Sequence, residues 1–169
     1  MPVDEHVLLR DGVLRVAELM AIAAKTAPKA KGIDNIVVSL VRDRNEIDRL
    51  AKKMEELAEY YGDFMARDAE NVRRSVAVLL IGAKIVDLKL RQPPRYSTEV
   101  NTVMALVNLG IALGSAVKTA SMLNVDNRIM FSVGVAAQEL GLIDADFAFG
   151  IPLSATGKNI FFDRKWPRR

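Results

Sequence analysis

The feature that most constrains the fold is a stretch of 18 residues, Val100 to Val117, that contains no charged side chain. A run of this length is the lower limit for a membrane-spanning helix. It nevertheless includes polar residues such as Asn101 and Asn108, and it contains no aromatic residue of the kind that marks the membrane boundary. We therefore interpret it as the buried central helix of a globular protein, and we expect no membrane association.

Two glycines four positions apart, Gly110 and Gly114, lie within this helix and are followed by Ala116 and Ala120. Small side chains at this spacing allow another helix to approach closely. The neighbour is either a helix of the same chain or the same helix of a second chain. We predict a homodimer that forms through the helix at 97–124.

Hydrophobic periodicity predicts the element order α-β-α-β-α-α-β within a single domain, residues 1–169, with a C-terminal extension from Ser154. The predicted fold class is α+β, with helices packed around a small mixed sheet of at least three strands. An additional strand from a partner subunit would enlarge this sheet. The predicted helices lie at 11–26, 47–61, 97–124 and 129–140, and the predicted strands at 36–41, 76–81 and 147–153.

Residues with capping side chains precede three of the helices. Asp43 is predicted to cap the second helix, Ser97 or Thr98 the long helix, and Asp126 the helix after it. Gly141 is predicted to end that last helix in a Schellman-type turn.

The last strand alternates between large and small side chains. Phe147, Phe149, Ile151 and Leu153 form one face, whereas the other carries only Ala148, Gly150 and Pro152. A face this bare lets a neighbour approach the backbone. The neighbour is either a packed helix, which we favour, or a flat ligand.

Composition removes several classes of chemistry. The chain has no cysteine and a single histidine, His6, near the N-terminus. Disulfides, cysteine-ligated zinc and iron–sulfur clusters are excluded, and a histidine metal site or a Ser–His–Asp triad is not expected. The two glutamines and the many charged side chains are typical of a thermophile protein, and the N-terminus is unlike a signal peptide, which favours a cytoplasmic location.

The net charge of +3 comes from the C-terminus, because residues 164–169 hold four of the 24 basic side chains. The remaining 20 basic and 21 acidic side chains balance. Nucleic-acid binding, which needs a basic face, is therefore not expected of the body of the protein. The tail alone is a candidate for contact with phosphate.

Two basic segments are candidates for binding an anion. Lys29 and Lys31 precede Gly32, although a lysine at a helix C-terminus also stabilises that helix directly. Lys158 follows the last strand in a loop rich in Ser, Thr and Gly. This loop is not a Walker sequence, because six residues separate Gly150 from Gly157 and Asn159 stands where Ser or Thr would bind magnesium.

The chain resembles a family of ferredoxin-domain-containing proteins of unknown function. The resemblance is carried by the segments Thr26–Ile36, Arg67–Asn71, Leu80–Lys84, Leu109–Val117, Val125–Arg128 and Gly150–Arg164. That family carries a cysteine-rich run between the second strand and the long helix. The corresponding stretch here, Leu88 to Val103, has no cysteine. The chain therefore resembles a member of the family that lacks the cysteine ligands, and the resemblance implies no iron–sulfur cluster.

A fainter resemblance is to the flavin-dependent nitroreductases. It rests on the order of elements, on Ala27-Pro28 after the first helix, and on a last strand that reads Gly-Ile-Pro before a basic tail. The resemblance implies a dimer with the long helix at the interface and FMN between the subunits. The phosphate partners it implies here are Lys29, Lys31, Lys158 and Arg164.

Two functions follow as hypotheses. The first is a non-catalytic dimeric scaffold or partner-binding subunit that has lost the cysteine cluster of its family. The alternative is an FMN-binding, nitroreductase-like oxidoreductase with the flavin at the dimer interface. No catalytic acid or base is indicated by the sequence, and it does not decide whether the chain is an enzyme.

Overall fold

An antiparallel sheet of four strands, in the order β1-β2-β4-β3, forms the centre of the fold. The computed structural model describes residues 1–162. The α+β class is confirmed, but the predicted mixed sheet is wrong in its strand directions, because all three strand pairs are antiparallel. The strands are β1 (Ile36–Val41), β2 (Ala77–Ala83), β3 (Asp126–Asn127) and β4 (Phe147–Ser154).

Helices cover both faces of the sheet, so that side chains of β2 point alternately into two apolar cores. Leu79 and Ile81 pack on the side of α1 and α4, whereas Val78 and Leu80 pack on the side of α2, α3 and α5. All seven residues of β2 are buried. The helices are α1 (Glu5–Thr26), α2 (Arg44–Tyr61), α3 (Phe64–Arg73), α4 (Val100–Met122) and α5 (Phe131–Glu139).

Helix caps explain where the helices begin. Asp43 accepts hydrogen bonds from the backbone N–H groups of Asn45 and Glu46, which confirms the predicted cap of α2. Helix α1 begins at Glu5, earlier than predicted, because Asp4 caps it. The cap of α4 is Glu99, not Ser97 or Thr98.

The sequence-based prediction missed one helix and placed one helix cap wrongly. Helix α3 was not predicted, since four of its ten residues are charged and only Met65, Ala69 and Val72 repeat at helical spacing. Asp126 does not cap a helix. It lies in β3 opposite Ser154, and α5 begins five residues later at Phe131.

Helix α5 packs against the small face of β4, which confirms the favoured interpretation of that face. A Cβ atom on Gly150 would lie 2.0 Å from Cγ1 of Val133, and one on Gly134 would lie 1.9 Å from the carbonyl oxygen of Ala148. No room remains there for a flat ligand. The helix ends in the predicted Schellman turn at Gly141, whose φ is +68°.

Helix α4 is, within residues 1–162, the one helix long and apolar enough to span a membrane by length and composition. The core helix of a globular protein passes the same test. Its inner side chains, among them Leu109, Ala112 and Ala116, pack in the core with α1 and the sheet.

Candidate functional site

The outer face of α4 is apolar and uncovered. We call Leu106, Val107, Gly110, Ile111 and Gly114 the glycine face. Its three large side chains are 42–47% exposed, and a Cβ atom added to either glycine would meet nothing within 4 Å. The glycines therefore do not serve close packing inside the chain. Exposed apolar surface of this kind marks an interaction site.

The first basic segment lies at the end of α1, and Lys29 is turned inward. Its side chain is only 7% exposed. Its Nζ donates to the carbonyl oxygens of Lys25 and Ala27, the latter at 2.8 Å, and lies 3.9 Å from Asp34. Lys29 thus neutralises the C-terminal carbonyls of α1, which was the alternative interpretation of this lysine.

Lys31 lies in the short 3₁₀ turn Ala30–Gly32 with a positive φ of 54°. Its Nζ donates to the carbonyl oxygen of Leu88 at 3.0 Å, while the residue stays exposed. Lys31 therefore remains accessible to an anion.

Two buried asparagines hold this turn against α4. The backbone N–H of Ala30 donates to Oδ1 of Asn108 at 2.9 Å, and Nδ2 of Asn108 donates to Oδ1 of Asn35 at 3.0 Å. Asn35 in turn donates to the carbonyl oxygen of Lys84 at 2.7 Å. The turn is thereby fixed to the first half of α4. Sequence analysis missed this network, although Asn108 stands out as a polar residue in an apolar helix.

Lys158 directly precedes Asn159, which lines a polar pocket at the other end of α4. The pocket has a volume of about 430 Å³. Nδ2 of Asn159 donates to Oδ1 of Asp126 at 2.9 Å, and the guanidinium of Arg128 lies 5.4 Å from the ring centre of Phe162. The pocket is lined by Ser121, Asn124, Val125, Asp126, Asn127, Asn159 and Phe162.

The predicted phosphate partners do not converge within one chain. The turn with Lys29 and Lys31 precedes Ile36, the first residue of β1. Ile36 pairs with Ala83 of β2, and Ala83 pairs with Phe147, so this turn lies near the first residue of β4. Lys158 follows the last residue of β4, Ser154. Eight residues of strand separate the two ends by about 25 Å. Arg164 lies outside the described residues.

A second, more apolar cavity of about 610 Å³ lies between α1 and the free edge of β1. Its charged lining groups are Glu18 and Lys25. The hydrogen bond from Lys25, at 2.6 Å, is the main reason why the pKa of Asp34 is lowered. The cavity contains none of the predicted phosphate partners.

Comparison with protein families gives a match over residues 98–164 to the model described as "Uncharacterized protein containing a ferredoxin domain (DUF2148)". An uncharacterised protein from Archaeoglobus fulgidus is 43% identical over 97% of this chain and 98% of its own length. The similarity to this relative therefore extends along almost the whole chain.

Solved structures with a similar fold are nitroreductases and related oxidoreductases. A nitroreductase with bound FMN from Desulfitobacterium hafniense gives a TM-score of 0.60 at 16% identity, over 94% of this chain and 80% of that one. A hypothetical oxidoreductase from Bacillus subtilis gives 0.56 at 18% identity over 99% of this chain. This chain spans only 63% of the length of the latter. At these identities the similarity establishes the fold.

Proposed function

Since the chain belongs to the family of uncharacterised proteins containing a ferredoxin domain and has the nitroreductase fold, we propose that it is a homodimeric flavoprotein with FMN bound between its subunits. The observation that carries this proposal is the glycine face of α4. This face is apolar and exposed, and its two glycines leave the helix backbone uncovered. A cytoplasmic location is part of the same proposal.

Pairing of two glycine faces in an antiparallel, twofold arrangement would bring the separated site residues together. The start and the end of α4, Val100 and Met122, lie equally far from Ile111 at its centre. Residues near Val100 of one subunit would therefore lie beside residues near Asn124 of its partner. The turn that contains Lys31 is fixed to the first half of α4, and the polar pocket lies at its end. Each polar pocket would thus face the Lys31 turn of the other subunit.

The residues fit FMN only in such a shared cleft. Within one chain the small face of β4 is filled by α5, and Lys29 is occupied by backbone carbonyls. Across two chains, Asn124, Asn127 and Asn159 supply amide groups suited to a polyol, while the lysines at positions 31 and 158 supply positive charge for a phosphate.

In this arrangement the chain's own residues bind and orient the cofactor. Lys158 and Asn159 would hold the polar part of FMN from one subunit, and Lys31 of the partner subunit would approach from the other. FMN supplies hydride and electron transfer when bound, so that the protein needs no catalytic acid or base of its own.

A second candidate function is a non-catalytic dimeric scaffold that binds other proteins. The observation that favours it is the absence of cysteine from the whole sequence in a family named for a ferredoxin domain. Without thiolates the chain cannot ligate an iron–sulfur cluster in the usual way. A dimer that binds no flavin would support this function.

The dimer is tested with Gly114→Glu, which places a charge on the glycine face. A matched control is Ala66→Glu, because Ala66 is likewise small, helical and exposed. Sedimentation velocity should show wild type and Ala66→Glu as dimers and Gly114→Glu as a monomer. If wild type sediments as a monomer, or if both variants remain dimers, the proposed interface is wrong.

Flavin binding is tested by thermal melting with and without FMN. At a hundredfold excess over Kd a ligand stabilises the native state by about 2.7 kcal/mol. For a chain of this size that corresponds to a rise in Tm of about 5–10 °C. Lys158→Ala and Lys31→Ala should reduce the rise, whereas Lys52→Ala on the exposed face of α2 should not. If the Tm of an intact dimer does not rise at millimolar FMN, the flavoprotein proposal is wrong and the scaffold function is favoured.

A further inference from the structure

The loop between β2 and α4, residues 84–99, carries a patch of basic and apolar side chains. It contains neither helix nor strand. Leu90 and Tyr96 are 40% and 46% exposed. The proposed flavin site uses Lys31, which borders this surface, but no side chain of the loop itself. We call it the basic loop patch, and it consists of Lys31, Lys89, Leu90, Arg91, Arg95 and Tyr96.

Side-chain hydrogen bonds give this loop a fixed shape. Nε2 of Gln92 donates to the carbonyl oxygens of Tyr96 and Thr98, at 3.2 and 3.0 Å, and its Oε1 accepts the backbone N–H of Val100 at 2.9 Å. Gln92 therefore closes the loop onto the start of α4. A surface that is already ordered loses little conformational entropy when a partner binds.

The other end of the loop is fixed by Leu88. Its side chain is 2% exposed, and its backbone N–H donates to Oδ1 of Asn101 at 3.0 Å. The carbonyl oxygen of Leu88 accepts the ammonium group of Lys31. This contact joins Lys31 to the patch.

The charges of the patch are unbalanced. Arg91 and Arg95 form no ion pair within residues 1–162. Asp87 is occupied by Lys89, and Glu99 by the backbone N–H groups at the start of α4. The four cations of the patch thus face two neighbouring acids, both of which already have partners. The described chain as a whole, with the patch included, is neutral: of 24 basic and 21 acidic side chains, four and one fall in 163–169, which leaves 20 of each.

We propose that the basic loop patch is a docking surface for an acidic segment of a partner protein. Arginine and tyrosine beside an exposed leucine are the residue types that contribute most to protein–protein interfaces. The unpaired guanidinium groups are suited to bidentate binding of carboxylates. A nucleic acid is a poorer match, because the patch has a single aromatic side chain and the surrounding surface carries no net positive charge.

Fluorescence anisotropy with a short fluorescein-labelled oligoglutamate tests this proposal on the full-length protein. The double variant Arg91→Glu/Arg95→Glu removes the unpaired cations. The matched control, Arg49→Glu/Lys52→Glu, makes the same charge change on the exposed face of α2. Both proteins keep the basic C-terminus, so its contribution cancels in the comparison. We expect the loop variant to bind at least about tenfold more weakly than the control at low salt.

The double variant Arg91→Gln/Arg95→Gln removes the two positive charges but keeps polar side chains of similar length. A melting curve confirms that each variant is folded. Three results would overturn the proposal: no binding of oligoglutamate to the wild type, an equal loss in loop and control variants, or tighter binding of an oligothymidine of the same length. None of these measurements depends on flavin, so the outcome is independent of the proposed function.

Discussion

Oδ1 of Asn108 accepts a hydrogen bond of 2.9 Å from the backbone N–H of Ala30, across 78 positions of the chain. Asn108 is 2% exposed, so water cannot replace it easily. The same side chain binds Asn35. This one carboxamide therefore fixes the turn after α1 to the central helix, and with it the position of Lys31.

Asn108→Leu should be strongly destabilising. It leaves the N–H of Ala30 and the side-chain oxygen of Asn35 without their partner, and a buried unsatisfied group costs about 1–3 kcal/mol. We expect the free energy of unfolding in urea to fall by about 2 kcal/mol or more. Asn45→Ala, at an exposed position of α2, should change it by less than about 0.5 kcal/mol. Equal effects of the two changes would contradict the role given to Asn108.

Gly134→Ala should disrupt the contact between α5 and β4. Its Cβ atom would lie 1.9 Å from a backbone oxygen, which cannot move without shifting the strand. Overpacking of this kind costs about 3 kcal/mol or more when backbone must yield. In Gly12→Ala the new methyl group meets nothing within 4 Å, and alanine is favoured over glycine in a helix by about 1 kcal/mol. Denaturant unfolding should therefore give opposite signs for the two variants.

Ser132 and Ser154 are both 1% exposed but should respond differently to truncation. Oγ of Ser132 donates to Asp68 at 2.7 Å, whereas Oγ of Ser154 has no hydrogen-bond partner within residues 1–162. Ser132→Ala should lower the free energy of unfolding by about 2 kcal/mol, since Asp68 is itself buried. Ser154→Ala should leave it unchanged or raise it. A large loss in Ser154→Ala, measured by urea unfolding, would reveal an unrecognised partner.

Acid should weaken the cap of α4. The pKa of Glu99 lies below its ordinary value of 4.5, chiefly because the carboxylate accepts the backbone N–H groups of Asn101 and Thr102. Its stabilisation is therefore complete well above pH 4.5 and is lost as the pH falls through the lowered, folded-state pKa. The Tm of wild type should exceed that of Glu99→Gln at pH 7, and the difference should shrink as the pH falls below 4.5 and the carboxylate is protonated. A difference that is independent of pH would exclude this carboxylate as the cause.

Local signals predicted the parts of the fold that depend on neighbouring residues. The β-branched run predicted β1 at 36–41 with the observed bounds, and Asp43 predicted the start of α2. Helix α3 is short, with only three apolar residues at helical spacing, and it is stabilised mainly by its contacts with α2. Asp126 has the sequence of a cap, but its pairing with Ser154 is a tertiary contact that local propensity does not encode.

The candidate site was predictable only in part, because local sequence signals do not show which tertiary contacts a residue makes. The GxxxG spacing indicated a close contact but not whether it lies inside the chain, and the structure places both glycines on the outside. Lys29 and Lys31 look equivalent in sequence. They differ because the positive φ at Lys31 directs its side chain toward the carbonyl oxygen of Leu88, whereas the ammonium group of Lys29 binds the last carbonyl oxygens of α1.

Sedimentation velocity of the FMN-loaded protein, recorded by both protein absorbance and flavin absorbance, tests the central claim most directly. The account predicts one boundary at twice the mass of a single chain that carries both absorbances. A boundary at the mass of one chain, or a dimer whose boundary carries no flavin absorbance, would contradict it.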